Sequence, residues 1–247
     1  MIAKRSLGAF LARNPFERGW SDGLFYREKM RAIHRIAPGR LPADARILEV
    51  GGGRSGMARN LYPDAHVTTI DIDPGLAPDD PAADAASDFV VGDARALPFA
   101  DRSFDIVTLF DVLEHIEGDR RAAAEAMRVV KPGGWLLIST PYDHWHYPHY
   151  PFMARFCPPE RALMDEWGHV RRGYTRSEVA GLFGREADRA ANFINPVTSF
   201  YHDVAFSNLP RRARKLAYIA AALPVLAAYA LHRPATRGSE MACAWQL

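Results

Sequence analysis

At 247 residues, 48% hydrophobic and 24% charged, the chain has the composition of a globular protein whose core needs neither a disulfide nor a metal to hold it. A net charge of +2, with no basic stripe interleaved with aromatics in the first two thirds, gives no electrostatic footprint for nucleic acid. The two cysteines, Cys157 and Cys243, form no metal-ligand pattern and read as reduced thiols of a cytoplasmic protein, and Arg13, Glu17 and Arg18 break up the N-terminal segment before an apolar run of signal length forms.

Residues from about 22 to 37 predict an amphipathic helix, because Tyr26, Met30, Ile33 and Ala37 fall on one face; Pro38 and Gly39 end it. A strand over Arg46–Val50 runs into Gly51, Gly52 and Gly53, and a helix over about Ser55–Leu61 follows. Further strands are expected at Val67–Ile70, Asp88–Val91 and Phe104–Phe110, with an exposed connection over Pro78–Asp88. A helix over Asp119–Val130, with Asp119 as its N-cap, is stopped by Lys131-Pro132-Gly133-Gly134, and a strand over Trp135–Thr140 comes next. Thr175 and Glu178 have capping-box spacing for a helix to Phe183. Glu186–Ile194 and Glu240–Gln246 complete the strands. Strands alternating with helices imply a Rossmann-like α/β fold: a seven-stranded, mostly parallel sheet with helices on both faces.

The glycine turn is the first chemical signal. A residue without a Cβ reaches positive φ and lets a ligand lie against bare backbone amides, which suits a nucleotide-like cofactor at the C-terminal edge of a parallel sheet. Asp71 ends the next strand, 20 residues after Gly51, where a carboxylate can accept from both hydroxyls of a ribose. Ile72 offers an apolar face for an adenine ring, and Asp93, with Ala94, ends the third strand, where it can accept from an exocyclic amine. Gly51-x-Gly53-x-x-Gly56 also fits the dinucleotide fingerprint, so a nicotinamide-dependent oxidoreductase and a non-catalytic scaffold of the same fold are the competing readings.

The ordered series of the glycine turn, Asp71, Gly92-Asp93-Ala94, Leu97-Pro98-Phe99 with Ser103-Phe104-Asp105, Asp111-Val112-Leu113-Glu114-His115 and Lys131-Pro132-Gly133-Gly134 resembles the class I S-adenosylmethionine-dependent methyltransferases, in particular the type 11 small-molecule group. The resemblance covers about residues 45–140, with a weaker echo at His169–Val179. It implies S-adenosylmethionine as cofactor, with Glu49, Gly51, Gly52 and Gly53 at its amino-acid end, Asp71 on the ribose, Ile72, Asp93 and Ala94 around adenine, and Phe110 and Asp111 on the methionine side. The helix after the glycines is expected to aim its first amides at the cofactor carboxylate. Tyr26 or Arg27 of the leading helix is expected either to reach the same carboxylate or simply to pack in the core.

Methyl transfer from a sulfonium asks the protein mainly to align nucleophile and methyl, with a base needed only for an un-ionised hydroxyl or a protonated amine. The base candidates are His115, after the fourth strand, and His144 and His146 in the imidazole- and phenol-rich loop Tyr142–Tyr150. Arg171 and Arg172 fit either an acidic substrate group or a solvated charge pair. No metal is expected. The acceptor is read as a small molecule or a glycan- or lipid-linked intermediate, methylated at oxygen.

The chain divides into a helical cap at 1–40, a cofactor-binding part at 41–194 and 240–247, and an insertion at 195–239. About 45 residues thus separate the last two strands. The insertion carries Arg211, Arg212, Arg214 and Lys215 and then an uncharged run from Leu216 to Leu231, too short to span a bilayer and interrupted by Pro224. Basic flanks around an apolar middle fit membrane-surface contact through 211–233, or packing over the pocket or on a partner chain.

Overall fold

The run Ile47–Val50 has no polar member except Glu49, and the fold explains why: it is buried on both faces at the centre of a sheet. The computed structural model describes residues 1–15, 22–53, 55–77 and 87–247, without the side chain of residue 22. Elements in chain order are β1 (Ile2–Ala3), α1 (Leu7–Leu11), α2 (Asp22–Ile36), β2 (Arg40–Leu41), β3 (Arg46–Val50), α3 (Met57–Leu61), β4 (His66–Asp71), β5 (Ser87–Val91), β6 (Phe104–Phe110), α4 (Asp119–Val129), β7 (Val130–Pro141), α5 (Glu160–Trp167), α6 (Arg176–Phe183), β8 (Arg189–Phe193), α7 (Ser199–Ala205), α8 (Arg211–Leu231) and β9 (Glu240–Gln246).

Among the described residues the main sheet has seven strands in the order β5-β4-β3-β6-β7-β9-β8. All its pairings are parallel except the two made by β9. β3 and β6 lie side by side at its centre, and the chain winds away from them in opposite directions. Their C-terminal ends therefore diverge into loops that leave a crevice, the usual ligand position in such sheets.

Alternation along β3 sends Ile47 to one core, with Met30, Ile33, Ile36, Met57 and Leu61, and Leu48 and Val50 to the other, with Ala122, Ala126, Val179 and Phe183. The α2 face bearing Met30, Ile33 and Ala37 is buried as its periodicity predicts. Arg189 at the start of β8 donates to the carbonyls of Ile36 and Ala37 at 3.0 and 3.2 Å, which ties the end of α2 to the far edge of the sheet.

Several local expectations are corrected. Gly118, in the left-handed region at φ 86°, is the cap of α4, and Asp119 is its first helical residue. The Asp119 carboxylate is instead engaged by the Tyr174 hydroxyl at 2.9 Å and by Arg171. α3 starts two residues later than expected, after Gly56 at φ 52°. Pro224 does not interrupt α8, which continues through it as a 21-residue helix. Its exposed position leaves the neighbouring turn to solvent, so the one lost backbone bond is tolerated. By length and a mean hydropathy of 1.3, α8 is long and apolar enough to cross a membrane, contrary to the expectation from Leu216–Leu231 alone. The β1–β2 pair and α5 gave no periodic signal, being too short. Residues 78–86 of the expected connection Pro78–Asp88 lie outside the described residues; β5 begins at Ser87. The Thr175–Glu178 capping box is formed as its spacing predicts.

Candidate active site

Two cavities lie at the C-terminal edge of the sheet. The first, of about 640 Å³, is lined by Gly51, Asp71, Ile72, Asp93, Ala94 and Asp111, together with Val112, His115, Val170 and neighbours. The second, of about 530 Å³, is lined by the aromatic side chains of Phe25, Tyr26, Trp145, Trp167, Phe193 and Phe206, with Lys29, Asp111, Glu114, His115, His169, His202 and Glu240. Asp111 and His115 line both.

The first cavity exists because three strand ends diverge above bare backbone. Gly51 sits at φ 63°, and a Cβ built on it would come within 2.7 Å of Val112. Ile72 is 69% exposed, an apolar side chain left open beside the cavity. Asp71 accepts from the Asp73 amide at 3.1 Å through one oxygen. Asp93 is gripped by the Arg95 guanidinium at 2.8–3.1 Å, and these bonds hold its carboxyl below the usual range.

Glu49, Gly52, Gly53 and Phe110 do not line this cavity. Glu49 lies beneath the glycine turn, where a Cβ on Gly52 would meet its side chain at 2.6 Å. One Glu49 oxygen accepts from the Ala58 amide at 2.9 Å and the other is buried without a partner. Burial pushes its carboxyl up to about 7. This overturns one expectation: the first amides of α3 are taken up by Glu49 and are not directed at a cofactor carboxylate. Phe110 packs against the core shared with α2.

At the seam between the cavities, Lys29 of α2 forms an ion pair with Asp111, which sits at φ 53° and also accepts from the Ser139 hydroxyl. Burial alone would raise Asp111, but the Lys29 ammonium outweighs it and holds the carboxyl below its ordinary value. Burial would likewise lower Lys29, and the Asp111 charge reverses that. Glu114 is fully buried; burial first and then the Asp111 charge drive its carboxyl well up, and Glu240 is pushed up to about 8 for the same reasons. Sequence reasoning singled out Tyr26 and Arg27; Tyr26 does line the second cavity, and Lys29, one turn on, adds the ion pair at the seam. Glu114, Lys29, Trp167, His202 and Glu240 were missed because only the tertiary fold brings them to one wall.

His115 is the one base candidate at the cavities. In the loop after β7, Trp145 and Tyr147 turn inward, so His144 and His146 point outward and line neither cavity. His144 stacks on Tyr142, with ring centroids 4.8 Å apart, and His146 faces the carbonyls of His144 and His149. Arg171 stacks 3.8 Å above Tyr174 and pairs with Asp119 and Glu178, and Arg172 pairs with Glu160, so both are committed to the scaffold.

Residues 48–138, which carry the glycine turn, Asp71, Asp93 and the seam, match the family model described as a methyltransferase domain, type 11. This domain belongs to the class I S-adenosylmethionine-dependent methyltransferases. The chain is 39% identical over 105 residues to a demethylmenaquinone methyltransferase of Renibacterium salmoninarum, a match that covers 42% of this chain and 44% of that one. It is 33% identical over 163 residues to a 2-methyl-6-phytyl-1,4-hydroquinone methyltransferase of Synechocystis, covering 59% and 48%. The chain thus spans about half the length of the curated relatives it matches. Among solved structures, a Thermotoga maritima S-adenosylmethionine-dependent methyltransferase, described as a histamine N-methyltransferase candidate, superposes with a TM-score of 0.56 at 16% identity, over 98% of this chain and 99% of that one. That likeness speaks for the methyltransferase fold alone.

The cofactor of this family fits the residues present. The cavity offers a ribose-accepting carboxylate in Asp71, an apolar lid in Ile72 and a backbone cradle at Gly51 that a side chain would fill. The unpartnered Glu49 oxygen under that cradle suits a cationic group.

Proposed function

We propose that this chain transfers the methyl group of S-adenosylmethionine, held in the first cavity, to a small hydroxylated ring compound, free or lipid-linked, held in the second. The observation that carries the reading is the sharing of Asp111 and His115 by both cavities. A group passed between two ligands must cross such a seam. Bound cofactor supplies an electrophilic methyl on a good leaving group.

The chain's own residues supply the rest. Asp71, Ile72, Asp93, Ala94 and the Gly51 backbone hold the cofactor in the first cavity, with Glu49 beneath the glycine turn and Asp111 at the methionine end. Lys29 neutralises Asp111 and fixes the seam. The aromatic walls Phe25, Trp145, Trp167 and Phe206 receive a planar ring and exclude water. His115 assists loss of the acceptor's proton.

Oxygen is our assigned methyl acceptor, because an imidazole at the seam aids ionisation of a hydroxyl. Carbon is the second reading, favoured by relatives whose names specify a hydroquinone substrate or C-methyl transfer. Both need an ionised hydroxyl, since ionisation also activates the ring carbon beside it. Incubation with labelled S-adenosylmethionine and a panel of hydroquinones and catechols, with NMR of the product, separates O–CH₃ from C–CH₃. Cofactor binding without turnover on any acceptor would support a scaffold role, and binding of reduced nicotinamide cofactor in place of S-adenosylhomocysteine would support an oxidoreductase.

The exposed face of α8 is part of the same proposal. Leu216, Ile219, Leu223 and Leu226 are 53–82% exposed and recur at three- and four-residue intervals, beside Arg211, Arg212 and Lys215. An apolar stripe next to a basic cluster suits an anionic membrane surface, where a lipid-tailed acceptor would reside. α8 stays tied to the body by Arg31 donating to the Tyr229 carbonyl at 2.6 Å and Tyr201 to that of Tyr218 at 2.7 Å.

A further inference from the structure

We infer that Glu114, His115 and His169 form a site for one divalent first-row cation at the seam between the cavities, where it binds the oxygen of the acceptor. The inference rests on the reading of the second cavity as the acceptor site.

One ligand atom from each of the three residues lies within 4.8 Å of the other two. A shared cation holds such atoms at roughly 3–3.5 Å from one another. The Glu114 side chain is fully buried, and its Oε1 has no hydrogen-bond partner. Nδ1 of His169 is buried and unpartnered as well. Two orphaned ligand atoms in one cluster cost desolvation that a metal ion repays.

The surroundings are those of a supported ligand set. Thr140 Oγ1 donates to Glu114 Oε2 at 3.2 Å, and His115 Nδ1 lies 3.2 Å from the Gly168 carbonyl, which fixes the orientation of both side chains. The Val170 amide donates to the Glu114 carbonyl at 3.0 Å and so holds the segment carrying His169 against the turn carrying Glu114 and His115. The rings of His115 and His169 meet at 4.6 Å. Asp111, Glu114 and Glu240 face the second cavity beside Lys29, so the wall there is rich in carboxyl oxygens. One carboxylate and two imidazoles suit manganese, iron or zinc better than magnesium or calcium, which favour all-oxygen sets.

Three protein ligands leave coordination positions for an acceptor oxygen. The cation would lower the pKa of that hydroxyl, whose proton passes to solvent. The O–C bond then forms as the S–C bond of S-adenosylmethionine breaks, leaving S-adenosylhomocysteine. On this account His115 aids ionisation through the ion it holds and does not itself take the proton. The sequence signal was the adjacent pair Glu114-His115 after a strand, with a histidine 54 residues on, a spacing too long to read as a ligand pattern without the fold.

The full chain, stripped with chelator, is titrated with Mn²⁺ and followed by calorimetry and by loss of the free-ion EPR signal; S-adenosylhomocysteine is titrated separately. One Mn²⁺ per chain is expected. Glu114→Gln and His169→Gln should each weaken it by at least about tenfold, while S-adenosylhomocysteine affinity changes less than about twofold because neither residue lines the first cavity. Absence of Mn²⁺ and Zn²⁺ binding in a chain that binds S-adenosylhomocysteine overturns the metal site and leaves the methyltransferase reading standing. Metal binding that both variants leave intact also overturns it, and would move the ion to the cluster of His149, His202 and Asp203. Mn²⁺ binding lost in the variants, in a chain that ignores S-adenosylhomocysteine, upholds the site and removes the transferase reading.

Discussion

Lys29 and Asp111, 82 residues apart in sequence, form an ion pair that joins helix α2 to the end of β6 and separates the two cavities. Their side chains are 13% and 32% exposed. Lys29→Met strands a largely buried carboxylate and should cost about 2–3 kcal/mol, below the roughly 3–5 kcal/mol of a broken fully buried pair because Asp111 keeps some solvent. The pair's Asp111 contribution is present above the ordinary carboxylate range and is lost as pH falls through the depressed folded value. The deficit of Lys29→Met, read from urea midpoints, should therefore be level from about pH 5 to 8 and shrink in acid.

Glu49 behaves in the opposite sense. Its folded carboxyl is raised to about 7, so the folded state holds a proton that the unfolded chain releases near 4.5. That stability is present below the unfolded value and disappears as pH rises through about 7. Relative to Glu49→Gln, the wild type should lose on the order of 3 kcal/mol between pH 4.5 and 7. Parallel unfolding curves of the two proteins across that window would remove Glu49 as the titrating group.

The cofactor carboxylate to test is Asp71. Its replacement by Ala should weaken S-adenosylhomocysteine binding by about 1–3 kcal/mol, through loss of charge-assisted hydrogen bonds to the ribose. Calorimetry returning the wild-type affinity would take Asp71 out of the cofactor site.

Gly51 is constrained twice, by its φ of 63° and by Val112 2.7 Å from where a Cβ would stand. Gly51→Ala should lose at least about 1–2 kcal/mol of stability from the backbone conformation alone. Adding Val112→Ala should not restore the wild-type melting temperature, because it relieves the contact and leaves the φ penalty. Full recovery in the double variant would show that crowding was the whole effect.

For α8, flotation with vesicles of phosphatidylcholine and phosphatidylglycerol should carry the wild-type chain upward at low salt and less of it at high salt. Leu223→Glu, on the outermost apolar position of the helix, should keep the chain at the bottom with S-adenosylhomocysteine affinity unchanged. A wild-type chain that never floats would withdraw the membrane contact.

Local chemistry was enough for much of this molecule. The strands Arg46–Val50, Phe104–Phe110 and Glu240–Gln246 were legible to the residue, because apolar runs bounded by glycine or charge have one stable use in a doubly covered sheet. That Gly51, Asp71 and Asp93 come to one cavity was legible because a strand end fixes where the next side chain goes. What the chain alone left open depended on contacts between distant segments. Whether Asp119 caps α4 was decided by Tyr174 and Arg171, and whether α3 faces a ligand was decided by Glu49. His144 and His146 turned outward because Trp145 and Tyr147 took the interior. The second cavity draws its wall from α2, the turn after β6, the loop after β7, α5 and α7, segments with no common sequence signal. Periodicity and turn chemistry act within a few residues, whereas burial and charge pairing at a seam exist only once the chain has folded, and those set the chemistry at Asp111, Glu114 and His115.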